Sequence, residues 1–85
     1  MNISRFEQRV LHELAKGGRI DVVRLSNGKV AAVTCFTREG FGLADCTLAV
    51  FNRLLRRGLI HSAGGRPYAI SREGRLAVRG QLDNR

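Results

Sequence analysis

Eighty-five residues make one domain, because a single core already takes about 100 residues in a typical domain and two would not fit here. Apolar residues form 44% of the chain, which excludes a disordered state, and with four Phe, one Tyr and no Trp the core must be mainly Leu, Val, Ile and Ala. Fifteen Lys and Arg against seven Asp and Glu give a net charge of +8, and all the cations except Lys16 and Lys29 are Arg, whose planar fork suits an anionic partner, either nucleic acid or an acidic protein surface.

Residues 4–16, SRFEQRVLHELAK, read as an amphipathic helix. Ser4 is a suitable N-cap and Glu7, three positions on, completes a capping box. Phe6, Val10, Leu11 and Leu14 recur at helical spacing and are the expected buried face, and Gly17 and Gly18 stop the helix. RIDVVRL and KVAAVTCF flank SNG and spell a β-hairpin, with Asn27-Gly28 as its turn signal. Both faces of the second strand are mostly apolar, so it is expected to be covered on both sides. Residues 37–45, TREGFGLAD, read as a loop or one helical turn.

Residues 45–58, DCTLAVFNRLLRRG, predict a second helix with Asp45 as N-cap. Leu48, Phe51 and Leu55, with Ala44 before them, form its expected inward stripe. Arg56 and Arg57 occupy the last turn, where cations suit the helix dipole, and Gly58 ends it. Residues 59–70 give a second hairpin, a wing: strand LIHSA, turn GGRP, strand YAI. Ser71 caps a final short helix, REGRLAVRG, and the tail 81–85 is expected to fray. The order α-β-β-α-β-β-α describes a small α+β domain over residues 1–85 with a winged-helix-like arrangement.

Outside its apolar stripe the second helix carries Thr47, Asn52, Arg53, Arg56 and Arg57, and the wing adds Arg66. In a winged helix, the helix before the wing enters the major groove, where Arg pairs with guanine and Asn with adenine, while Thr and wing Arg side chains meet phosphate. The same residues equally make a solvated helix face. Here the Arg residues cluster at the helix's C-terminal end, whereas base reading uses N-terminal positions, which are Asp45 and Thr47, and an Asp repels phosphate. That favours a protein partner over a DNA sequence.

Other chemistry is not indicated. GGRPY lacks the spacing and following helix of a phosphate-cradling loop. Cys35, Cys46, His12 and His61 do not have zinc-ligand spacing, so no metal is expected. Neither cysteine has a neighbouring base in sequence, and both are better read as small, reduced core residues. No paired carboxylates stand out, so the chain is expected to be neither an enzyme nor a cofactor binder. The first ten residues hold no apolar core of signal-peptide length, and no stretch approaches a membrane span. A cytoplasmic protein away from membranes is the expectation.

Four stretches together carry a resemblance: EQRVLHELAKGGRI, REGFGLADCTLAVF, GRPYAIS and the terminal DNR. Of these, LADCTLAVF is far more distinctive than a generic winged-helix pattern. Across essentially all 85 residues the chain resembles the bacterial YjhX family. The resemblance implies the toxin of a toxin–antitoxin pair that binds DNA topoisomerase I and blocks it, neutralised by an acetyltransferase-like antitoxin encoded nearby. Such a toxin could occupy a DNA-seeking surface of the enzyme or coat the DNA itself. The alternative from the residues alone is a winged-helix DNA-binding protein or transcriptional regulator.

Overall fold

Helix α1, Arg5–Ala15, starts at the cap its sequence encodes. The Ser4 hydroxyl accepts from the Glu7 backbone N–H at 3.1 Å, and Glu7 Oε1 accepts from the Ser4 N–H at 3.0 Å. Two backbone donors that helix geometry leaves without partners are thereby satisfied. The computed structural model describes the backbone of residues 3–83 and the side chains of residues 3–78. The buried face of α1 is Glu7, Val10, Leu11 and Leu14, an i, i+3, i+4, i+7 stripe. Phe6, expected on that face, is instead 51% exposed. It sits one residue, about 100° around the helix, from Glu7, and the stripe takes the Glu.

Strands β1, Arg19–Arg24, and β2, Val30–Phe36, form the expected antiparallel hairpin. Gly28 adopts φ 87° at its turn, a conformation that L side chains avoid, and the Asn27 side chain accepts from the Lys29 N–H at 3.0 Å. The ladder slips by one residue between Val23 and Arg24. The expectation that β2 is covered on both faces fails. Cys35 is its one fully buried residue, and Ala31, Ala32 and Thr34 are exposed. Helix α2 packs on one side, and among the described residues Ala32 and Thr34 of the other face are left open to solvent.

The segment expected as a loop or helical turn supplies a third strand, β3, Gly42–Leu43, beside Cys35 and Phe36. The chain reverses through Thr37–Phe41, whose backbone groups bond at 2.8 Å. Two residues, one of them Gly, are too short a run to register as alternation. The sheet order is β1-β2-β3.

Helix α2 is Leu48–Arg56, and its N-cap is Thr47, whose hydroxyl accepts from the Val50 N–H at 3.2 Å. Asp45 does not cap it; its carboxylate is bonded to Arg9 at 2.7 Å. The buried residues are Val50, Phe51 and Leu54, and Leu48 and Leu55, expected inside, are 36% and 39% exposed. Those two, seven residues apart, share a face roughly 100° to one side of the centre of the true stripe. The helix ends as expected at Gly58, φ 73°. The Gly58 N–H reaches Leu55 O and the Leu59 N–H reaches Leu54 O, both at 3.0 Å, the paired bonds of a Schellman end.

Strands β4, Ile60–His61, and β5, Ala69–Ile70, pair as a short second hairpin. It is stitched to the first: Ile20 and Tyr68 exchange both backbone bonds, at 2.9 and 2.8 Å. The Tyr68 ring meets Phe51 edge-on with centroids 5.0 Å apart, an arrangement the ring quadrupoles favour. Helix α3, Arg72–Asp83, starts at Ser71. That hydroxyl accepts from the Gly74 N–H at 3.1 Å and donates to Gly58 O at 2.6 Å. One side chain thus caps α3 and holds the end of α2. The tail 81–85, expected to fray, lies outside the described side chains, and its last two residues lie outside the described backbone.

The element order is therefore α-β-β-β-α-β-β-α, one strand more than expected, in a small α+β domain of three helices and antiparallel strands. Its core is Val10, Leu11, Leu14, Ile20, Phe51, Leu54, Leu59 and their neighbours, with both cysteines inside.

Candidate partner-binding surface

The six residues singled out in the sequence divide into two groups. Arg53 and Arg57, one helical turn apart on α2, both turn back onto Glu7 of α1. Arg57 Nη1 lies 3.3 Å from Glu7 Oε2 and Arg53 Nε 3.7 Å from Glu7 Oε1. Glu7 is 2% exposed. Burial pushes its carboxyl up, but Ser4, through its backbone N–H and hydroxyl, and the guanidiniums of Arg57 and Arg53 outweigh this and hold it below its ordinary value. A carboxylate on the buried stripe of a helix is tolerable only with such partners. Glu7 thus clasps α1 to α2, and two of the candidate contact arginines have this structural duty as well.

The second group is outward. Arg56 stands exposed in the last turn of α2, and Asn52 is exposed one turn before it. Arg66 is exposed in the β4–β5 turn, which Gly64 and Gly65 form at φ 61° and 76° and which the Ser62 hydroxyl closes onto Arg66 O. Neither Arg56 nor Arg66 makes an ion pair among the described residues. Thr47 is exposed, but its hydroxyl is committed to capping α2. The outward cations on α2 and the hairpin can bind an anionic surface; the α2 N-terminus, with its hydroxyl engaged and the Asp45 carboxylate just before it, is poorly suited to phosphate.

Glu7 is the residue that the sequence reading missed in this role. Its position three and four residues before Val10 and Leu11, and seven before Leu14, was a legible signal; its charge drew attention to the cap instead.

The cysteines adjoin in space. Cys35, on β2, is paired with Leu43, and Cys46 follows that strand by three residues. Both are free and buried. The hydrogen bond that the Cys35 thiol donates to Cys46, together with burial, pushes Cys35 well above its ordinary value and lowers Cys46. His12 and His61 are exposed, and among the described residues no three of His, Cys, Asp or Glu gather as a metal site. No helix among the described residues is long and apolar enough to cross a membrane.

The family model for the YjhX toxin, described as "Putative toxin of bacterial toxin-antitoxin pair", matches residues 1–85. The chain belongs to this family. Membership implies an antitoxin as a partner. Relatives of this toxin-family chain include the UPF0386 proteins of Ruegeria sp. (strain TM1040) and Parvibaculum lavamentivorans, each 61% identical over the full length of both chains. The UPF0386 protein of Caulobacter vibrioides is 53% identical over all of this chain and 93% of its own. No solved structure matches this toxin-family chain.

Proposed function

We propose that this toxin-family protein acts in the cytoplasm as an inhibitory binding protein that blocks DNA topoisomerase I by direct contact, and that an acetyltransferase-like antitoxin relieves it. The observation that carries the reading is the pair of exposed guanidiniums, Arg56 on α2 and Arg66 on the hairpin, that make no ion pair among the described residues, on a toxin-family chain of net charge +8. A compact basic protein can occupy an acidic surface of that enzyme and keep the duplex out. Binding, with no catalytic step and no cofactor, accounts for such an effect.

A second reading is favoured by one feature. A helix leading through Gly58 into a hairpin with Arg at its turn supports a winged-helix-like reading, in which a duplex is held. As a DNA-binding protein or regulator, the chain would lose affinity with a slope of about −0.9 in log–log salt plots for each phosphate contacted.

The test is calorimetric titration into purified topoisomerase I without DNA. A saturable one-to-one complex is expected. Arg56→Ser with Arg66→Ser should weaken it at least tenfold, about 1.4 kcal/mol, at unchanged thermal stability. No heat with the enzyme, but binding to duplex with a steep salt slope, would install the second reading instead.

A further inference from the structure

A separate feature lies between α1 and α2, away from the Arg66 hairpin. Phe6, Ala44, Asp45, Thr47, Val50 and Arg53 enclose a cleft of about 220 Å³. This is smaller than the roughly 300–1,000 Å³ of sites that take a whole small molecule, and it suits one large side chain. Val50, 3% exposed, lies within it, and one wall is the Phe6 ring, 51% exposed on a helix whose other large apolar groups are buried.

The border is cationic. Arg53, 41% exposed, lines it, and Arg9, 62% exposed at its side chain, is joined to the lining residue Asp45. The carboxylates nearby are already engaged, Asp45 by Arg9 at 2.7 Å and Glu7 beneath the surface by Arg57 and Arg53. The guanidiniums therefore keep donors directed at solvent beside an apolar seat. Such a seat does not favour a nucleic acid, which has no aliphatic anchor to offer.

We propose that this cleft is a second binding site, for an acidic protein segment that inserts one large apolar side chain against Phe6 and Val50 while its flanking carboxylates meet Arg9 and Arg53. The inference goes beyond the inhibition of topoisomerase, and that reading can fail or stand independently of it. A buried apolar anchor ringed by charge pairs is the arrangement that concentrates binding energy in a few residues. The net charge of +8 adds long-range attraction for such a segment.

The experiment is a two-dimensional amide NMR titration of the full chain with a heptapeptide carrying a central Phe and three Glu on either side. Shifts are expected to concentrate at Ala44, Asp45, Val50 and Arg53, and a control peptide with Ser in place of the Phe should bind at least tenfold more weakly. Phe6→Ser, at an exposed position, and Ala44→Glu, which puts a carboxylate at the rim, should each weaken the Phe peptide tenfold or more with the rest of the spectrum preserved. Equal binding of both peptides, or undiminished binding by both variants, would overturn the proposal. So would the same shifts from a single-stranded oligonucleotide, which would make this a nucleic-acid site, or from raising the protein concentration alone, which would seat a second copy there.

Discussion

The Glu7 carboxylate shows how far one residue can organise the chain. It closes the α1 cap and accepts the guanidiniums of Arg53 and Arg57 from a nearly inaccessible position. Glu7→Gln should cost about 1–3 kcal/mol, since amide for carboxylate leaves the donors poorly matched. Because the folded-state pKa lies below the ordinary 4.5, the charged form's contribution is fully present above that value and is lost as pH falls through the lowered one. Urea midpoints between neutral pH and about pH 3 should therefore fall less steeply in Glu7→Gln than in the parent. Equal slopes would mean that Glu7 is not held charged. It follows that Arg53→Ser and Arg57→Ser should destabilise the fold, whereas Arg56→Ser and Arg66→Ser should not, so only the latter pair tests binding cleanly. For the cysteines, burial of both bars reagent, and the raised Cys35 pKa also makes its thiolate scarce, while Cys46, whose pKa its hydrogen bond with Cys35 lowers, is protected by burial alone. Thiol reagents should label neither residue at neutral pH until the protein is unfolded; rapid labelling of the native chain would show that one of them is accessible.

Among the elements, α3 offers the sharpest test of packing. Gly74 lies inside the helix, and a Cβ there would fall onto Leu59 O and within 2.7 Å of Ile70 Cγ1. Helix propensity favours Ala by about 1 kcal/mol, but an overlap with backbone cannot be relieved by a rotamer change, and overpacking typically costs about 1–3 kcal/mol. Gly74→Ala should lower the melting temperature, and a rise would mean that α3 stands off β5. All three helices, both hairpins and the stops at Gly28 and Gly58 could be read from the sequence, because caps, turn glycines and long periodic runs are local signals. The failures arise where local signals stop. β3 is too short to have a period. Thr47 and Asp45 are both good caps, and the ion pair with Arg9 decides between them. Phe6, Leu48 and Leu55 were placed inside because they are apolar, while the faces that tertiary packing selects run through Glu7 and Val50. The outward cations Arg56 and Arg66 were legible from spacing, but the inward turn of Arg53 and Arg57 depends on a partner 50 residues away in the chain, which no local pattern encodes.

For the molecule as a whole, the two hairpins are joined through Ile20 and Tyr68, and α2 is clasped to α1 through Glu7. The exposed cations are therefore displayed on one packed body, and little ordering entropy opposes their docking. Direct contact with an acidic protein surface should weaken only moderately with salt, because fewer counterions are released than from a duplex. The most direct measurement is topoisomerase I relaxation of negatively supercoiled plasmid, titrated with this protein while enzyme and DNA amounts are varied independently. Half-inhibition is expected to track the enzyme concentration and to be insensitive to the plasmid. Half-inhibition that instead rises in proportion to the DNA would contradict direct contact and identify coating of the duplex as the cause.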